Sequence, residues 1–318
     1  MADHVPTEDE VMGYFQSLSN WGRWGEDDQL GTMNFLSPEK MRQAMSLVTD
    51  HVSVSLARTI RFEPTPDSLP TGTPVHYMIE SGEGFASGEK VDPSPVQGSM
   101  DFFGMVFHGF TVTHMDSLAH IFWKGQMYNG QPAHLVSTKL GATVESVELM
   151  STGIVTRGVL VDVPMIRDID WVERGDGVMP SDILAAEERC GFKVEEGDIL
   201  LVRTGQHGRR NIEGPVNPTE VGSTACHVAC LPLVHERGVA MLGSDTGNDV
   251  IPTGYPAFGN PIHQVGMVAM GLWILDCADL EGLAAECKKR GRWEFMMTVL
   301  PLRLHNSTGS PINPIAIF

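Results

Sequence analysis

An α/β fold with a mixed central sheet flanked by helices follows from three observations. From residue 150 onward, short apolar runs bounded by turn residues alternate with amphipathic stretches. Four of those runs, "GIVTRGVLVDVP", "ILLVRTG", "GVAMLGSD" and "LWILD", carry the branched and apolar side chains of buried strands, with helix-length segments between them. No Gly/Ser or Pro linker, low-complexity tract or internal repeat divides the 318 residues. A single domain over 1–318 is therefore expected, with 1–50 as a helical N-terminal segment.

The elements follow in order. Thr7 and Glu10 form a capping-box pattern ahead of "VMGYFQSL", which predicts a first helix. Ser37 followed by Pro38 opens a second, with Ser at the N-cap and Pro at the first helical position. Between them "NWGRWGEDDQLGTMNFL" reads as a loop whose aromatics are candidates to line a pocket. Ser181 and Asp182 open a helix through about Cys190, and the turn "EEGD" leads to the next strand. Residues 224–237 and "HQVGMVAMG" read as helical. Leu280 to Lys289 is a helix closed by Gly291. "EFMMTVLPLRL" ends the regular structure.

Composition excludes several function classes. Asp and Glu number 40 against 22 Lys and Arg, a formal charge of −18, so neither nucleic acid nor an anionic membrane surface is an expected partner. No apolar run approaches a bilayer span. The start "MADHVPTEDE" is acidic and lacks the apolar core of a secretory signal. Five scattered cysteines, an odd number, read as reduced thiols of a cytoplasmic protein.

Candidate chemistry concentrates in "HGFTVTHMDSLAH", residues 108–120. His114 and Asp116 are two apart, so an extended segment puts both side chains on one face. His120 follows Asp116 by four, within reach across a helical turn or bent loop. Imidazole with carboxylate suits a borderline divalent ion such as zinc or manganese. His108 fits less well: six extended residues to His114 span roughly 20 Å, unless Gly109 breaks the strand.

"THMDSLAH" resembles the signature of the cyclase family of metal-dependent hydrolases, H-x-G-T-H-x-D-x-P-x-H. That family includes bacterial kynurenine formamidase, isatin hydrolase and metal-dependent dienelactone hydrolases. The blocks "NWGRWGEDDQLGTMNFLSPE", "VRTG", "LGSDTGNDV", "HQVGMVAMGLWILDCADL" and "TGSPINPIA" also resemble family blocks in the same order. The resemblance implies a swivelling β/β/α-like sheet, metal-dependent hydrolysis and assembly as a homo-oligomer, usually a dimer.

Two departures bear on the site. The family's first histidine falls at Phe110, and its proline at Leu118. Loss of that histidine favours one ion per chain. The resemblance places further ligands near "HQVGMV" and at a later acidic residue. Gln264 is preferred as the ligand because its spacing to Asp276 fits the family, which leaves His263 and Asp276 as supporting or substrate-facing groups. Asp276 has an alternative role as a strand-end carboxylate capping the next helix.

The expected function is metal-assisted hydrolysis of a cyclic amide or lactone, or of an aryl formamide. His120 is the candidate general base, since a histidine titrates near working pH. Trp21, Trp24 and Phe110 are candidates for an apolar wall against a small cyclic or aromatic substrate. The alternatives are a cyclase or dehydratase acting on a polyketide-like substrate, and a metal-free binding protein of the same fold. An apolar tail, "PINPIAIF", needs burial and adds a weak argument for an oligomer.

Other motifs carry less. Cys226-His227-x-x-Cys230 lacks a second ligand pair for structural zinc and reads as core. Gly153-x-x-x-x-Gly158 lacks the Lys of a phosphate loop. No Gly-x-Ser-x-Gly elbow is present. "RTGQHGRR" is a basic patch that reads as a solvated loop, with capture of a substrate carboxylate as the alternative. "GSDTGNDV" reads as structural hydrogen bonding near the site.

Overall fold

The computed structural model describes residues 3–89 and 96–318. Its centre is a nine-stranded mixed sheet. Four parallel strands, Ile154–Asp162, Ile199–Arg203, Met241–Ser244 and Trp273–Asp276, form the middle in that order. Glu294–Val299, Ile315–Ile317 and Ser53–Ser55 extend one side antiparallel. His114–Asp116 and then Gly309–Pro311 extend the other, also antiparallel.

The parallel strands are apolar at nearly every position because both faces are covered. Val159, Val161, Leu200, Val202, Leu242 and Ile274 point into one core. Leu160, Ile199, Leu201, Met241, Leu275, Met115 and Phe295 point into the other. That alternation is the period-two pattern of a strand, repeated on both faces.

Helices at Glu8–Ser17, Pro38–Ser46, Pro180–Cys190 and Glu281–Arg290 agree with the sequence reading. Thr7 forms the capping box with Glu10, Ser37 caps its helix through Lys40 N–H, and Gly291 is left-handed at its helix end. Other expectations need correction. Residues 224–237 are not one helix: Ala225–Cys226 pairs with Gly177–Val178, and only Leu231–Glu236 is α-helical. "HQVGMVAMG" is a short α-helix, Pro261–Val265, continued by a π-helix over Gly266–Met270. "RTGQHGRR" is not a loop but enters the helix Gln206–Glu213. Two strands lie beyond "EFMMTVLPLRL", where regular structure was expected to end. The apolar tail is one of them, and Phe318 is fully buried. Its burial within the chain removes the argument for an oligomer drawn from it.

The N-terminal segment is fastened to the sheet. Asp198, wholly buried, receives two hydrogen bonds from Arg157, at 2.8 and 2.6 Å, and one from Lys40 at 2.9 Å. A buried carboxylate with this many charged donors stays ionised and satisfied. The Trp- and Gly-rich loop clamps the chain around the π-helix. Trp21 Nε1 donates to Val268 O at 2.6 Å and Thr32 Oγ1 to Gly271 O at 3.0 Å. Gly31 is obligatory there, since a Cβ would lie 2.2 Å from Gly271 O.

One buried acid lacks such compensation. Glu145 is fully buried, and neither carboxyl oxygen has a hydrogen-bond partner. Burial, helped by the charge of Asp28, pushes its pKa up to about 9. The folded chain therefore holds a proton there that the unfolded chain releases near 4.5. Between those two values stability falls as pH rises. The Glu145→Gln variant is expected to gain stability over the parent by up to about 1.4 kcal/mol for each pH unit in that window. Urea midpoints at pH 6 and pH 8 measure this; a difference that does not grow with pH contradicts it.

Candidate metal centre

The site lies where the parallel strand Trp273–Asp276 meets the antiparallel strand His114–Asp116. Their register sets Asp276 opposite His114 and Ile274 opposite Asp116. Alternation then puts His114, Asp116 and Asp276 on one face, while Met115 and Leu275 fill the core beneath. Asp276 ends its strand, the position where open parallel sheets present polar groups.

Asp116 is the centre of the cluster. It is 1% exposed, and neither oxygen accepts a well-formed hydrogen bond. Four imidazoles surround it. His108 Nδ1 lies 2.8 Å away, His263 Nε2 3.4 Å, His114 Nε2 3.5 Å and His120 Nε2 4.0 Å. Asp276 Oδ2 completes the convergence, 3.8 Å from His114 Nε2 and 3.5 Å from His263 Nε2. Burial alone would raise the Asp116 pKa, but His120 and His114 at its side hold it well below the usual range.

Three of these groups have their outward atoms tied down. His114 Nδ1 donates to Val112 O at 2.8 Å, leaving Nε2 with a lone pair for the centre. Asn248 Nδ2 donates to Asp276 Oδ1 at 2.6 Å, leaving Oδ2 free. Asp249 Oδ2 pairs with His263 Nδ1 at 2.5 Å. Asp249 also accepts from the Ile262 and His263 backbone N–H groups, at 2.8 and 3.4 Å, so one carboxylate caps the helix and aims its imidazole. Burial opposes charge on His263, yet Asp276, Asp116 and Asp249 raise its pKa well above the ordinary value. A centre with this excess of carboxylate welcomes a cation.

The donor set fits a divalent metal ion. Ligand atoms of His114, Asp116 and Asp276 lie within 4.8 Å of one another, as do those of His108, Asp116 and His120. A buried carboxylate without hydrogen-bond donors is costly unless a cation balances it.

The structure brings together His114, Asp116, His120, His263 and Asp276, but not Gln264. Gln264 Oε1 instead accepts from Asn260 N at 3.1 Å. Successive helix residues diverge by about 100°, so only one of the pair faces the centre, and Asp249 selects His263. His108 belongs to the cluster against the sequence expectation. Residues 108–112 are bent rather than extended, so the six-residue span is short. His108 stacks on His120 at 3.7 Å between centroids, and its Nε2 meets Thr308 Oγ1 at 3.0 Å. Gly309 gives it space, since a Cβ there would approach the His108 ring to 2.9 Å. The histidine missing at Phe110 is thus replaced by one two residues earlier. The bend after Gly109 was the available signal.

Phe110 lies against Gly247 beside Asp276. Trp24 is elsewhere, edge-on to Phe35 at 5.0 Å with Arg23 over its face. Trp21 is fastened to the π-helix. The aromatic missed by sequence reasoning is Phe107, tilted against His108 at 4.5 Å. Cys226 and Cys230 are buried in the core, as their spacing suggested.

Comparison with known proteins follows the same line. The chain spans the whole of a crystal structure described as a novel cyclase, with 28% identity, complete coverage of both chains and a TM-score of 0.86. Isatin hydrolase A from Labrenzia aggregata, bound to benzyl benzoate, shares 19% identity over 86% of this chain and 94% of its own, with a TM-score of 0.56. A predicted metal-dependent hydrolase from Bacillus stearothermophilus shares 17% identity over 84% and 98%, with a TM-score of 0.53. These last two likenesses are of fold. No match is found among curated proteins. The Cyclase family model matches residues 51–248, more than half of the sequence and the part that holds His108, His114, Asp116 and His120; the chain belongs to the Cyclase family.

Proposed function

We propose that this protein is a metal-dependent hydrolase that opens a cyclic amide or lactone, or cleaves an aryl formamide. The observation that carries the reading is Asp116, a buried carboxylate that accepts no well-formed hydrogen bond and is ringed by four imidazoles, of which His114 turns a free Nε2 towards it. The names of the isatin hydrolase and metal-dependent hydrolase structures support it by likeness.

His114, Asp116 and Asp276 would hold one zinc or manganese ion, with His263 closing the set in the place expected of Gln264. Once bound, such an ion acts as a Lewis acid on a carbonyl and eases deprotonation of water. His120 supplies the proton transfer. Its side chain is 25% exposed, the most accessible of the four imidazoles. Burial lowers its pKa to about 4, against the pull of Asp116, so the ring is neutral and accepts a proton. His108, stacked against it, fixes its plane. His120 takes the proton of the attacking water as oxygen bonds to the carbonyl carbon. It returns that proton to the leaving nitrogen or oxygen as the carbon–heteroatom bond breaks. The products are a carboxylate and an amine or alcohol.

A second reading has its own observation. His108, Asp116 and His120 form another triad sharing Asp116, which suits a second ion and would take His120 out of proton transfer. Metal analysis of the dialysed protein is expected to give one ion per chain; two would favour the second reading. Asp116→Ala is expected to lose both metal and turnover, and full occupancy in that variant would sink the assignment. His120→Ala is expected to keep its metal while turnover falls about 10²–10⁴-fold, the usual contribution of a general acid–base group. Joint loss of metal and rate, with rescue by added metal, would place His120 in the coordination shell.

Assembly as a homo-oligomer is part of the proposal. On one face of the antiparallel pair Val75–Glu80 and Met100–Gly104, Tyr77, Ile79 and Phe102 are exposed at 52, 56 and 42%, with Tyr77 stacked on Phe102 at 4.8 Å. Contiguous exposed apolar groups of this kind mark an interaction surface. Light scattering at micromolar concentration is expected to show a dimer or larger species; a monomer refutes it. All five cysteines are unpaired, which suits a cytoplasmic setting, and no helix among the described residues is long and apolar enough to cross a membrane.

A further inference from the structure

Beside the centre lies a cavity of about 60 Å³, walled by Phe110, Gly247 and Cys277 on the near side and by Arg58, Arg174 and Arg210 beyond. It adjoins the metal cluster directly. A Cβ built on Gly247 would lie 3.3 Å from the Phe110 ring and 3.8 Å from Asp276 Oδ2. The three arginines differ in how their charge is met. Arg210 is paired with Asp67, Nε to Oδ2 at 2.5 Å. Arg58 touches only neutral acceptors: Phe110 O at 2.7 Å and Asp245 O at 2.5 Å, with its buried Nε unpartnered. Arg174 has Glu213 as its one carboxylate partner among the described residues, and that at 4.0 Å. Its side chain is 18% exposed, and burial with the nearby Arg209 charge lowers its pKa.

Among the described residues Arg58 makes no ion pair, its nearest acids Asp67 and Asp279 acting only at longer range, and Arg174 has Glu213 at the limit of pairing with Glu173 beyond, so both guanidinium groups are weakly countered in a chain of charge −18. A cation out of water is balanced by an anion or costs stability. The two acidic groups lining the cavity are already engaged: Asp67 pairs with Arg210, and Asp245 Oδ1 is taken by Thr204, whose backbone N–H and hydroxyl donate at 2.7 and 2.8 Å. The guanidinium fork matches a carboxylate in shape as well as charge. The volume sets the size of the guest. An aromatic ring needs a cavity of about 150 Å³, whereas a carboxylate occupies no more than a few waters would.

We infer that this cavity is the substrate's anion subsite: the molecule hydrolysed at the metal centre carries a carboxylate before it reacts, and Arg174, with Arg58 behind it, holds that group past Gly247 and Phe110. The inference rests on the hydrolytic reading above for the word substrate, but the binding site itself does not. It separates acid-bearing aryl amides and lactams from their neutral counterparts. Arg174 is a specificity-determining residue here, and it is none of the groups placed in the metal centre.

The test uses the metal-loaded full chain and two independent readouts. In calorimetry with benzoate and benzamide, Arg174→Gln should weaken benzoate about 10- to 100-fold, the range of one hydrogen bond to a charged group, and leave benzamide unchanged. Arg174→Lys should restore part of the loss. Carboxylate bound to the metal instead would make benzoate indifferent to Arg174 and overturn the inference. In turnover, formanilide is compared with its 2-, 3- and 4-carboxylated forms. At least one acid should be preferred through a lower KM, and Arg174→Gln should raise that KM while kcat on formanilide holds. Equal KM values for acids and parent in both proteins also overturn it, as does a variant altered only in product inhibition. If no formanilide is hydrolysed yet benzoate still depends on Arg174, the anion subsite stands and the hydrolytic reading fails.

Discussion

The centre depends on one electrostatic constraint, the burial of Asp116 among groups that cannot hydrogen-bond to it well. A lone carboxylate in that position would take up a proton. Four imidazoles prevent this, and Asp276 and Asp249 bring further negative charge, so the cluster as a whole needs a cation. The surrounding backbone is arranged to preserve that need. Val112 O, Asn248 and Asp249 each occupy the outward atom of an inward-facing group, so none can turn away.

The sheet supplies the rigidity this requires. His114, Asp116 and Asp276 sit on paired strands whose opposite faces are locked in the core by Met115 and Leu275. His263 comes from a helix where α changes to π and the Trp- and Gly-rich loop grips the turn. That loop thus acts at a distance: it holds the helix that carries His263. Deviations of this kind from α geometry recur at functional sites because they re-aim side chains.

Accessibility then grades the groups by task. The proposed ligands are almost wholly buried, whereas His120 and His108 keep about a quarter and a fifth of their surface open, at 25 and 21%. A ligand gains from exclusion of water, while a group that exchanges protons has to reach it. The arginine-lined cavity borders Phe110 and Gly247 beside Asp276, so positive charge adjoins the carboxylate cluster there.

The sequence by itself determined the class of fold, the four helices at Glu8–Ser17, Pro38–Ser46, Pro180–Cys190 and Glu281–Arg290, and the placing of His114 and Asp116 on one face of one segment. Those features are local: caps, apolar runs and a two-residue spacing act within one segment, where period and chemistry decide the outcome. Glycine-closed and Ser-capped helices were legible for the same reason. What only the tertiary structure decided was the completion of the site. Whether His263 or Gln264 faces inward turns on Asp249, 14 residues earlier, capping that helix. Whether His108 reaches Asp116 turns on a bend and on the space left by Gly309, about 200 residues away. The tail's place in the sheet depends on pairing with strands beginning at Ser53 and Glu294. Each of these is a long-range contact whose partners carry no mark in their own neighbourhood, so spacing along the chain could not reveal them.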